Sequence, residues 1–128
     1  MPPVPTPDDA ASEHERVCAA TDVAPGTLRA VTLSDGTRAC LGNVRGTIFA
    51  VADRCPHEKV PLSDGELTAR GTIVCARHGA EYDCVTGRSL RGPVRERGEH
   101  EAPLGRLAVY DVRVVAGDVC VRPPQLTF

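Results

Sequence analysis

The sequence predicts an all-β domain, a sandwich or small barrel, interrupted by one loop-rich segment. Three observations carry this. Twelve Gly and five Pro fall between residues 16 and 122, mostly between short runs of β-type residues. Tyr110, Val112 and Val114 alternate with Asp111, Arg113 and Val115, the period of a strand with one buried face. No stretch carries a convincing helical period, and residues 20–23 form at most one turn ahead of Pro25-Gly26.

The elements follow in order. Strands are expected at 16–19, 28–33, 37–41, 47–51, 72–75, 80–83, 107–115 and 119–122. Ser34-Asp35-Gly36, residues 43–46 and Ala116-Gly117-Asp118 read as hairpin turns between neighbouring strands. Residues 1–15 are expected to be a disordered tail, because Pro2, Pro3, Pro5 and Pro7 are followed by Asp8, Asp9, Glu13 and Glu15, and little there can be buried. The single domain then spans 16–122, with 123–128 as a short C-terminal tail. Residues 53–93 break the strand pattern; a segment of this kind inside a compact β domain is usually functional.

Composition narrows the function classes. A net charge of −2 and a pI near 6.1 give no basic surface for nucleic acid. Two Tyr, two Phe and no Trp leave little for base stacking. The longest apolar run, Ile48-Phe49-Ala50-Val51-Ala52, is far short of the roughly 20 residues a membrane span needs. The N-terminus has neither a basic start nor an apolar stretch, so export is not expected and the cytoplasm is. Six Cys in a reducing compartment point away from structural disulfides and toward buried thiols or metal ligands.

The spacing supports metal. Cys55-Pro56-His57 is followed, after seventeen residues, by Cys75-Ala76-Arg77-His78, so each half supplies one thiolate and one imidazole. Soft thiolates suit iron–sulfur clusters and zinc, and imidazole suits several transition metals. Structural zinc sites usually pair like with like, two Cys and then two His. A [2Fe–2S] centre with two Cys on one iron and two His on the other takes mixed pairs instead. A zinc-stabilised binding module stands as the reading from another class; visible colour and acid-labile sulfide distinguish the two.

The pattern C-x-H-x17-C-x-x-H resembles the Rieske signature. Leu62-Ser63-Asp64-Gly65 between the halves, Gly79 after His78, the run Cys84-Val85-Thr86-Gly87-Arg88, and Arg91-Gly92-Pro93 are similar to that family's flanking motifs. Upstream, Asp22-Val23-Ala24-Pro25-Gly26 and residues 48–53 resemble the small Rieske ferredoxins of ring-hydroxylating oxygenase systems. The resemblance implies a β-sandwich or small barrel with a cluster-binding subdomain at about 53–93 and one [2Fe–2S] cluster per chain. It implies that Cys55 and Cys75 bind the inner iron and His57 and His78 the outer one, with Gly79, Ala80, Tyr82 and Pro93 around them. It also implies a soluble one-electron carrier, itself no catalyst, loaded by a flavin-dependent ferredoxin reductase and emptied by a terminal oxygenase. A small Rieske subunit of a larger complex, such as an assimilatory nitrite reductase, is the alternative within redox chemistry.

Bottom-up chemistry agrees with that role. Two ferric ions, two sulfides and two thiolates sum to zero charge when both imidazoles are neutral, whereas a four-thiolate cluster carries minus two. Adding an electron to a neutral centre costs less, and such centres span roughly −150 to +300 mV. Quinol-oxidising relatives brace the two loops with a disulfide; the matching positions here are Val60 and Arg77, so none forms. Their Ser two residues after the second His is Ala80 here, while their Tyr four residues after it is kept as Tyr82, whose hydroxyl is within plausible reach of the Cys55 sulfur. A low to intermediate potential is expected.

The remaining candidates read as ordinary. Cys18, Cys40, Cys84 and Cys120 are expected to be inert core thiols. His14 and His100 are expected to be solvated, Asp64-Gly65 to be a turn, and residues 95–101 an exposed loop. Arg54, Arg77, Arg88 and Arg91 surround the motif as candidates for steering a partner, but Glu58 and Glu81 are interleaved, so no single-sign face emerges.

Overall fold

The computed structural model describes residues 14–55, 60–77, 79–94 and 105–122. Through them run β1 (Glu15–Ala19), β2 (Leu28–Thr32), β3 (Arg38–Val44), β4 (Thr47–Ala52), β5 (Glu66–Leu67), β6 (Thr72–Val74), β7 (Glu81–Asp83), β8 (Ser89–Arg91), β9 (Val109–Val115) and β10 (Asp118–Arg122), with 3₁₀ turns at Ala20–Asp22 and Leu62–Asp64. Every strand pair is antiparallel. Six strands form one sheet in the order β1-β10-β9-β4-β3-β2, and four form a second in the order β5-β6-β7-β8. The second sheet is inserted between β4 and β9, inside the loop-rich segment that composition singles out.

The larger sheet curls toward a barrel. The Glu15 carboxylate, at the start of edge strand β1, accepts hydrogen bonds from the Ser34 N–H at 2.8 and 3.0 Å and from the Ser34 hydroxyl at 2.7 Å, just past edge strand β2. The central strands are buried on both faces, as their Ala-, Val- and Cys-rich sequences allow. Ala39, Leu41 and Ala50 face a core shared with Cys18, Val23, Tyr110, Val119 and Val121. Cys40, Phe49 and Val51 face a second core shared with Cys55, Leu62, Ile73, Cys75, Tyr82 and Cys84. One sheet thus serves as the wall between the barrel interior and the inserted layer.

Two hairpins close as their residues demand. Arg45 and Gly46 (φ 54° and 95°) join β3 to β4, and Ala116 and Gly117 (φ 50° and 82°) join β9 to β10. Positive φ at both central positions is the turn that matches strand twist. Asn43, assigned to the turn from sequence, is instead paired within β3; its side chain accepts from the Gly46 N–H at 2.7 Å and donates to the Val23 carbonyl at 2.8 Å.

The eight expected strands all form, with ends shifted by up to three residues. Strands β5 and β8 are additional, being two and three residues long and too short to show a period. Three expectations need correction. His14 and Glu15, assigned to the tail, belong to the fold, and His14 is buried rather than solvated, 2.6 Å from Asp111. Val114 does not continue the buried face begun by Tyr110: Val112 is only partly buried against the core and Val114 is 53% exposed, so the face runs out toward the β9–β10 turn. Glu81 is not a surface charge, as described below. Residues 1–13, Glu58, residues 95–101 including His100, and 123–128 lie outside the described residues.

Candidate metal centre

Two segments, each closed by the same kind of backbone hydrogen bond, bring a Cys into the second core. The first leaves β4, and the Cys55 N–H donates to the Val60 carbonyl at 2.8 Å; the second leaves β6, and the Cys75 N–H donates to the Ala80 carbonyl at 2.8 Å. Each loop therefore opens at its Cys and closes five residues later. Within the second, the Gly79 N–H returns to the Cys75 carbonyl at 3.1 Å, with Gly79 at φ 74°. That left-handed conformation is one glycine adopts without a Cβ penalty.

Both sulfurs are buried, Cys55 at 0% and Cys75 at 2% exposure, in one apolar cluster. Val60 is half-buried against that cluster and Arg77 is exposed, so no disulfide links the loops there. The Tyr82 hydroxyl, on β7, lies 3.7 Å from the Cys55 sulfur. Ala80 and Pro93 are fully buried nearby in sequence. Two buried soft donors at the openings of the two loops, one with a phenol beside it, fit the sulfur half of an iron–sulfur ligand set. His57 and His78 lie outside the described residues.

Two acidic residues, Asp53 and Glu81, neither of them expected from sequence to be buried, hold the loop stems. The Asp53 side chain is fully buried two residues before Cys55. It accepts from the Ser63 N–H at 2.7 Å and hydroxyl at 2.9 Å, and meets Arg38 at 3.4 Å. Gly65 completes this stem: a Cβ there would lie 2.1 Å from the Val74 carbonyl oxygen, so only glycine lets the 62–65 turn rest on the strand leading into Cys75. Glu81, adjacent to the closing residue Ala80, is buried among Thr72, Arg70 and Arg91. No local signal marks either carboxylate, since their partners come from other strands and turns.

The other thiols behave differently. Burial pushes the Cys40 thiol far up, with Asp53 and Cys84 adding to it, and pushes Cys84 up to about 12, with Asp83 adding to it. Burial raises Cys18 as well. These are inert core groups, as the sequence implies, and Cys120 is buried too. Among the described residues, no helix is long and apolar enough to cross a membrane.

Comparison with known proteins matches the chain, over residues 13–112, to the Rieske [2Fe-2S] domain family. Ferredoxin CarAc of Metapseudomonas resinovorans is 33% identical over 106 residues, which is 83% of this chain and 90% of that protein. The 3-phenylpropionate/cinnamic acid dioxygenase ferredoxin subunit of Escherichia coli (strain K12) is 30% identical over 108 residues, 84% of this chain and 92% of that one. Among solved structures, a chain of the complex of reduced oxygenase and oxidized ferredoxin in carbazole 1,9a-dioxygenase superposes with a TM-score of 0.69 at 29% identity, covering 88% of this chain and 97% of that one.

Proposed function

The chain belongs to the Rieske [2Fe–2S] family, and from that premise we propose that it is a ferredoxin whose cluster is held by Cys55 and Cys75 on one iron and His57 and His78 on the other. It carries one [2Fe–2S] cluster and serves as the electron-transfer component of a multicomponent oxygenase system, not as a catalyst. The observation that carries the ligand assignment is the pair of matched loops, each opened by a Cys whose sulfur is buried in the same core.

When bound, the group accepts and returns one electron at a time. The chain's own residues set the conditions. The walls of the second core keep water from the two sulfurs. Asp53, through Ser63, fastens the stem of the first loop to the following turn. The Tyr82 hydroxyl faces the Cys55 sulfur and favours added negative charge there. A fixed ligand frame lowers the reorganisation that electron transfer demands.

The reading assigns two partners: a flavin-dependent ferredoxin reductase that loads the carrier, and a terminal oxygenase that takes the electron, both in the cytoplasm. The test is anaerobic purification followed by iron and sulfide analysis and EPR of the dithionite-reduced protein. Equal iron and acid-labile sulfide with a rhombic signal of low average g supports the ligand set. Colourless protein holding zinc, or a His57→Cys or His78→Cys variant with an unchanged spectrum, would refute it. NADH-driven reduction through an added reductase, followed by reoxidation by an oxygenase and its substrate, tests the partners.

A further inference from the structure

A polar ladder crosses the second sheet on the side away from Tyr82. The Thr68 and Thr72 hydroxyls are 2.6 Å apart, and the Thr72 hydroxyl donates to Glu81 Oε2 at 2.6 Å. Arg70 Nη2 reaches the same oxygen at 3.2 Å, and Arg91 Nη2 reaches Glu81 Oε1 at 3.2 Å. The Glu81 side chain is only 8% exposed, against 77% for Arg70 and 41% for Arg91. A buried carboxylate is therefore the hub joining β6, β7 and β8.

The register shows that the sheet bends to make this pair. Glu81 lies opposite Arg91 while Tyr82 lies opposite Ser89, so Leu90 is an extra residue in β8. Such a bulge re-aims the side chains that follow it. Its consequence is that apolar Leu90 is 43% exposed, and Arg91 faces Glu81 with its Nε buried and without a hydrogen-bond partner. Burying a carboxylate and an orphaned N–H both cost stability. These costs fall at one place in the chain. Glu81 directly follows Ala80, whose carbonyl closes the Cys75 loop, and Arg91 directly precedes Gly92-Pro93, both buried.

We propose that Glu81 is a positioning residue: through Arg91 it fastens the Gly92-Pro93 segment to the strand that closes the Cys75 loop. This deepens the ferredoxin reading and rests on it. The pair acts by geometry, keeping the Gly92-Pro93 segment seated, and not as a source of charge.

The two roles make opposite forecasts for the loss of Arg91. Removing a negative charge near the centre raises its potential and removing a positive charge lowers it. Loosening the Gly92-Pro93 segment admits water, which favours the more highly charged reduced form and raises the potential whichever partner is lost. The test uses the cluster-loaded protein with Glu81→Gln, Arg91→Gln, the double variant and Arg91→Lys. Visible absorbance is followed under excess iron chelator, and potentials are measured by redox titration. Glu81→Gln and Arg91→Gln should each speed cluster loss about tenfold, or ~1.4 kcal/mol. The double variant should be no faster than the faster single one, Arg91→Lys should stay within about twofold of wild type, and both single variants should shift the potential upward. Potential shifts of opposite sign, downward shifts, no shift, unchanged loss rates or additive loss rates would each overturn the proposal. A wild-type protein without iron and sulfide would overturn the ferredoxin reading, and the proposal with it, before any variant is compared.

Discussion

The Tyr82 hydroxyl lies 3.7 Å from the Cys55 sulfur, although twenty-seven residues separate them. The contact exists because Tyr82 pairs with Ile73 across β6 and β7 while Cys55 enters the same core from the end of β4. A buried phenol needs a polar partner; here one neighbour is a sulfur whose charge grows on reduction. Tyr82→Phe is expected to lower the reduction potential. A hydrogen bond worth about 0.5–1.5 kcal/mol corresponds to ~20–65 mV for one electron. Redox titration of the two proteins decides the matter, and an unchanged or raised potential would remove Tyr82 from any role at the sulfur.

Asp53 should matter more for holding the cluster than for tuning it. Its fully buried carboxylate satisfies both the N–H and the hydroxyl of Ser63. Asp53→Ala strands those donors and is expected to cost about 2–4 kcal/mol in urea unfolding of the loaded protein. Ser63→Ala should cost less, because the backbone bond survives. The combined variant should lose less than the sum of the two, as residues sharing one hydrogen-bond set do. An additive result would mean that Asp53 acts elsewhere.

Cys40 and Cys84 should resist alkylation in the native protein. With its thiol raised to about 12, Cys84 is ionised to about one part in ten thousand at pH 8, and Cys40 is raised further. Iodoacetamide followed by mass spectrometry should leave both unmodified until urea is added. Rapid native labelling of either would show that the second core opens.

The buried His14 ties the first strand to β9 and should make stability depend on acid. The hydrogen bond from His14, and then its charge, hold the Asp111 carboxyl below its ordinary 3.8. A carboxyl with a lowered folded-state pKa contributes stability that is complete above the unfolded pKa and is lost as pH falls through the folded one. The gap in urea midpoint between wild type and Asp111→Asn should thus shrink as pH falls past 3.8. A gap that widens with acid would contradict this pairing.

Much of the chain's chemistry is written locally. The Cys-x-His and Cys-x-x-His halves supply the four proposed donors without reference to the fold, because residue type and spacing are properties of a few neighbouring residues. The hairpins at Arg45-Gly46 and Ala116-Gly117 are equally local, since Gly46 and Gly117 adopt the positive φ their turns need without a Cβ penalty. Period-two runs mark the long strands of the barrel. The two-residue β5 and three-residue β8 have no such period and become strands only by pairing with β6 and β7.

By itself, then, the sequence determined the β architecture, the interruption between its long strands and the Cys and His pattern on which the proposed donor set rests. Only the tertiary structure decided which charged and polar groups are interior. Asp53 is buried by Ser63 from the next turn, Glu81 by Arg91 across a bulge, and His14 by Asp111 some ninety-seven residues away. A carboxylate or imidazole tolerates burial only when a distant partner compensates its lost water, and that partner is supplied by strand order and register, which no single stretch of chain encodes.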